Sequence, residues 1–300
     1  MSDGRGRVVS AAAGVAVLAI GVVLGSGPLR AALLGETGDR IDRLESEVAT
    51  QQQRADDAEA RATTAAAYVD TTAPTLLANL LPGFSVLVVA APGAPDAAVT
   101  AVGERLPLAG ATEAGPVSPG KVWTDSSQSE FRQAFSEQVA STLVGVDTAD
   151  PTIVLAHAFV QGATGAAPTG TDHKAVAAAG DDRGAVVWEL LTQAGLAQGE
   201  PAARADAIVL VAGDADATTA LVDAFAAYDA PVTVVGKPGA ITAETRRDDV
   251  ATVASSDWTL GSVTAVAAVS ESLTGTLPHY RDGEVPGFLG VSGTAPGTDG

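Results

Sequence analysis

Hydrophobic and polar positions divide this chain into three regimes. From Val8 to Leu29 apolar and small residues follow one another with no charged side chain between Arg7 and Arg30. The pattern then changes to a heptad repeat: Ile41, Val48, Ala55, Ala62 and Val69 fall in one slot, and Leu44, Gln51, Ala58 and Ala65 in the complementary one. Such an a/d seam, with Glu45, Glu47, Asp56, Asp57, Glu59 and Arg61 on the other faces, predicts a coiled-coil helix. Alanine dominates its second half, and Gln51 in a core slot is a candidate register or stoichiometry device. Pro74 and the "LPG" at 81–83 read as the punctuation that ends it.

The third regime alternates continuous apolar runs with amphipathic stretches. "FSVLVVA" at 84–90, "AIVLVAG" at 207–213 and "PVTVVG" at 231–236 carry the signature of strands buried on both faces. Between and after them, helices are expected over 127–145, 186–194, 221–228 and 263–273. The first of these opens with Ser127 three positions before Glu130, a capping-box spacing, and sets Phe131, Phe135, Val139 and Leu143 on one face. Strand and helix in alternation predict an α/β fold, an open and mostly parallel sheet covered by helices, preceded by a membrane helix and a coiled-coil helix. The few short, uniformly apolar strands do not encode a transmembrane barrel, which needs many segments of alternating polarity.

The expected organisation is therefore a cytoplasmic tip and transmembrane anchor (1–30), a stalk (31–73), an exported α/β body (74–283) and a Gly/Pro-rich flexible tail (284–300). A helix over the uncharged leader covers roughly 30 Å, the thickness of the hydrocarbon layer. Arg5 and Arg7 precede it while Glu36 and Asp39 soon follow, so the positive-inside rule keeps the N-terminus in the cytoplasm and exports the rest. Its exit, "GSGP", is a poor cleavage site, which favours a retained anchor over a removed signal. Gly21 and Gly25 stand four apart and offer a small face for helix packing in a membrane.

Charge narrows the partners. With 36 acidic against 17 basic residues and a net charge of -19, the chain repels nucleic acid. It holds no cysteine, so disulfides, thiolate nucleophiles and thiolate metal sites are excluded.

Candidate chemistry is sparse. In "VAGDAD", Asp214 and Asp216 follow a strand and precede a helix, where open α/β sheets bind ligands; the competing reading makes Asp214 a helix cap and Asp216 a complement to the dipole. "VVGKPG" fails the phosphate-loop motif because Pro238 replaces the Ser/Thr, "TGAAPTGTDH" lacks a dinucleotide fingerprint, and there is no G-x-S-x-G elbow. Nothing marks a catalytic pair, and the chain reads as a non-enzyme. His157, His173 and His279 are the imidazole metal-ligand candidates, but they lack the spacing by which one helix presents two to a metal. An oligomer bringing copies of one histidine to an axis is the route by which they would combine.

The anchor "LAIGVVLGSG", the stalk "DRLESEV", the strand "FSVLVVAAPGA" and the later "ADAIVLVAG", in that order, resemble the copper transport outer membrane protein family, the MctB type of actinobacterial envelopes. The resemblance extends from about residue 8 to "SESLTG" and "HYRDG" near 270–283. It implies a membrane-associated envelope protein contributing to copper efflux and homeostasis, with channel-like behaviour and copper as the transported ion rather than a cofactor. The heptads imply a homo-oligomer. Two further readings stand beside this one: a non-transporting envelope scaffold, and an exported α/β ligand-binding or hydrolase domain.

Overall fold

The computed structural model describes residues 30–172, 176, 182–201 and 205–287; in the first helix, side chains are described from Leu44 onward except at positions 45 and 62. The expected membrane segment with Gly21 and Gly25, the candidate ligand His173 and nearly all of the tail lie outside the described residues. Among the described residues no helix is long and apolar enough to cross a membrane. The chain divides into two compact units, Met1–Ala65 and Ala66–Gly300.

What is described of the first unit is helix. It belongs to α1 (Arg30–Leu77), which counts 48 residues. Every side chain described between Leu44 and Ala65 is exposed, the seam residues included: Leu44 at 55% and Val48 at 62%. Thr50, Thr63 and Thr64 return their hydroxyls to carbonyls one turn back, at 2.7–2.9 Å, and so need no outside partner.

In the second unit, α1 continues through Pro74, which corrects the expectation that this proline ends the helix. A proline there removes the N–H that would donate to the Asp70 carbonyl and costs roughly 3 kcal/mol in a helix interior. The turn survives because Ala73 and Leu77 on either side are fully buried in the core. The helix stops at Leu77, three residues after Pro74, and Asn79, two positions on, takes a left-handed conformation (φ 60°) that ends helices readily. Val69, expected in the coiled-coil seam, is half-buried and packs against this same core.

The remaining elements are β1 (Ser85–Ala90), α2 (Asp96–Arg105), β2 (Thr112–Pro119), α3 (Ser129–Ala140), α4 (Pro151–Thr164), α5 (Arg183–Gln193), β3 (Ala197–Gln198), β4 (Ala207–Val211), α6 (Ala215–Ala226), β5 (Val232–Gly236), β6 (Ala251–Ala254), α7 (Trp258–Leu273) and β7 (His279–Tyr280). Among the described residues seven strands form one sheet in the order β3-β2-β1-β4-β5-β6-β7, parallel throughout except where β3 meets β2. The mostly parallel open sheet flanked by helices is the α/β architecture that the alternating pattern predicts, and the three apolar runs are its central strands.

Strand side chains alternate between two cores, as the period of two requires. Leu87, Val89, Ile208, Leu210 and Val234 face one core with α3, α4, α5 and α6. Val86, Val88, Val209, Val211 and Val235 face the other, with α2, α7 and the end of α1. Asp70 and Arg105 form an ion pair that ties α1 to α2.

One local expectation is corrected, and one strand stands where the pattern above names no element. Ser127 does not cap α3: its amide and hydroxyl both donate to Asp125, at 2.9 and 2.7 Å, in a preceding 3-10 turn, and α3 starts at Ser129. The segment "TEAGPVSP" is strand β2, although Gly115 and Pro116 disguise it as a loop. The register with β1 shifts between Leu87 and Val89, and this bulge absorbs the proline. Gly115 sits at φ 121°, where an added Cβ would stand 3.0 Å from the Val88 carbonyl.

Candidate functional site

Parallel α/β sheets bind ligands outside the carboxyl ends of the strands where the strand order reverses, here between β1 and β4. That place is filled by the chain itself. The Ala91 amide donates to the Val211 carbonyl at 2.9 Å, and the Asp214 amide donates to the Pro92 carbonyl at 2.6 Å. Gly213 lets the two loops meet: a Cβ on it would lie 2.2 Å from the Pro92 oxygen and 2.3 Å from the Ala94 nitrogen. The Asp214 carboxylate accepts from the Ala217 amide at 3.1 Å and caps α6, and Asp216 lies in its first turn. The pair thus makes a helix start rather than a ligand shelf.

An open groove of about 610 Å³ lies beside this point, between α4, α6 and the loop after β5. His157, Asp216, Asp223, Thr242 and Glu244 line it, with Ile153 exposed at its margin. His157 is half-buried, and its Nδ1 shares a hydrogen bond with the Tyr228 hydroxyl at 3.1 Å. Burial pushes the imidazole below its ordinary value and the Tyr228 phenol well above its own, so both are neutral near pH 7. Asp223 is paired with Arg247, which also holds Asp249 at 2.7 Å. Hydrogen bonds from its own backbone and from Thr242 hold the Glu244 carboxyl below the usual range. The groove therefore presents carboxylates and one neutral imidazole: a field that attracts cations without enclosing one. Among the described residues no group of His, Asp and Glu is placed to hold a metal ion.

The other histidine described stands elsewhere. His279 is exposed on edge strand β7, where its Nδ1 shares a hydrogen bond with Thr252 Oγ1 at 3.0 Å. His157, on α4, is bonded to Tyr228 of one core, whereas the neighbour of His279, Tyr280, packs against the opposite core. The structure does not bring these two candidates together.

Buried polar groups near the groove have structural duties. Gln161, fully buried, donates from Nε2 to the Val144 carbonyl at 2.8 Å and accepts from the Val144 amide at 3.2 Å. Arg183 Nη2 donates to the carbonyls of Gly165 and Ala166 at 3.3 and 3.2 Å and sets a cation at the C-terminus of α4, where the helix dipole favours one. The groove itself was not legible in the chain: its lining is scattered over residues 153–244, and only the approach of α4 to α6 assembles it.

The donor chemistry bears on copper as a cargo. Cu(I) prefers thiolates and thioethers. The chain has no cysteine and one methionine, Met1, so apart from that residue its donors are imidazole and carboxylate.

No curated protein matches this chain. A family does, over nearly the whole length: residues 1–284 match the copper transport outer membrane protein family, MctB, and the chain belongs to it.

Proposed function

We propose that this protein is an envelope-anchored, oligomeric component of copper efflux that acts as part of an assembly rather than as an enzyme or a resident copper carrier. The match of residues 1–284 to the copper transport family carries this reading. Three observations support the form it takes. The strand-end crevice that an α/β enzyme would use is closed by the Pro92–Asp214 contact. The donors available to Cu(I) are hard or intermediate, which suits passage or attraction better than retention. The described seam residues of α1 from Leu44 to Ala65 are exposed in a single copy.

In this reading the leader stays in the membrane with Gly21 and Gly25 as a packing face, the body lies outside the cytoplasm, and the stalk joins copies. A single spanning helix makes no pore, so transport requires several. Deleting the gene should raise cellular copper, and the intact chain should restore the parental level. Unchanged copper in the deletion strain refutes the transport reading. N-terminal sequencing of the mature protein from separated envelope fractions locates it and decides whether the leader is retained.

A further inference from the structure

The stalk carries more information than the fact of association. Resting on the oligomeric reading above, we infer that α1 pairs with a second copy of this chain in parallel and in register, over Leu44 to Ala65.

The limits of the seam come from the fold. Beyond Ala65, at the boundary of the two compact units, the face that would continue it is already used: Val69 and Leu76 pack against the second core, and Ala73 and Leu77 are fully buried there. On the N-terminal side of that boundary, Leu44 and Val48 are more than half exposed, although both are large aliphatic residues in a stretch, 44–65, that is otherwise polar or alanine. Within one copy nothing described covers them.

Charge then selects the partner and its direction. In a parallel coiled coil a g residue faces the e residue five positions later in the partner. With Val48 and Ala55 at a, Arg54 takes a g position and Glu59 the e position that faces it. In the same register Glu47 faces Gln52 and Arg61 faces Ala66, so none of these described positions meets a like charge. Among the described residues the ion pairs join Asp70 to Arg105 and Asp223 and Asp249 to Arg247, which leaves Arg54 and Glu59 unpaired within their own chain. An antiparallel pair would instead set g against g and e against e. That arrangement can set Glu47 against Arg54, but the e row (Gln52, Glu59, Ala66) holds no basic residue to meet Glu59. In the parallel pair Gln51 stacks on its counterpart, where two amides can hydrogen-bond across the seam and hold the register.

The absence of native cysteine makes the test direct. Gln51→Cys and Ala58→Cys are made singly in the full-length chain, at exposed positions that do not threaten folding, and oxidised with diamide. Both variants should yield covalent dimers, because two positions seven apart meet their own copies only when the helices are parallel and in register. Charge reversal is the second arm: Arg54→Glu should weaken association about fivefold, and Arg54→Glu with Glu59→Arg should restore it. Cross-links that form only when Leu44→Cys is mixed with Ala55→Cys would overturn the parallel arrangement. A full-length chain that is oligomeric by size, yet self-links at neither position, would overturn stalk pairing while leaving the oligomeric reading intact. A chain that is monomeric at every concentration would overturn both.

Discussion

The amide of Asp214 donates to the carbonyl oxygen of Pro92 at 2.6 Å, across the point where the sheet order reverses. The contact depends on Gly213, which has no room for a side chain. Gly213→Ala should therefore lower stability by about 2–3 kcal/mol, as overpacking against backbone does, seen as a reduced midpoint of urea unfolding. Asp214→Ala should cost only about 1 kcal/mol, the value of a lost helix cap, and should leave cellular copper at the parental level. Elevated copper in a strain carrying a stable Asp214→Ala protein would show that this carboxylate does more than cap α6.

Leu77 and Leu44 occupy the same helix and should behave oppositely. Leu77→Ala empties a fully buried site and is expected to cost about 2–5 kcal/mol of folding stability. Leu44→Ala, more than half exposed, should change unfolding by no more than about 0.5 kcal/mol in dilute protein while reducing association. Urea denaturation and sedimentation equilibrium on both variants separate the two effects.

Pro74 is exposed inside α1. Pro74→Ala restores a helical N–H and removes a clash with the preceding turn, a gain that the greater freedom of the unfolded chain partly offsets. A net stabilisation of about 1–2 kcal/mol is expected by urea or thermal unfolding.

His157 should impose a pH dependence. Its folded pKa lies below the ordinary value of 6.5 because of burial, so the unfolded chain binds a proton that the folded one does not. Its contribution to stability is therefore present above 6.5 and is lost as pH falls from there through the folded value. His157→Gln should flatten the stability profile across that window relative to the parent. The carboxylates lining the groove, Asp216, Asp223 and Glu244, are common to both proteins and cancel in the comparison.

The elements legible from the chain are those whose signal is contained in one segment. The runs at 84–90, 207–213 and 231–236 are apolar on both faces because helices cover both sides of the sheet, and no neighbour is needed to recognise them. The motifs that carry the family resemblance, which the match over residues 1–284 sustains, likewise each lie within one segment.

Other features depend on partners that a local pattern does not contain. β2 is a strand because β1 offers it a parallel ladder with a bulge for Pro116, a condition invisible in "TEAGPVSP". Pro74 stays helical because Ala73 and Leu77 are buried, and Val69, a seam position by its spacing, packs against the same core. Ser127 does not cap α3, because the chain first makes a 3-10 turn in which its amide and hydroxyl donate to Asp125. The two aspartates after β4 carry one local pattern whether they hold a ligand or start a helix; the loop after β1 decides it by occupying the crevice. Hydrophobic periodicity is a property of one segment, whereas closure of a site is a property of two that meet, and only folding brings Pro92 to Asp214.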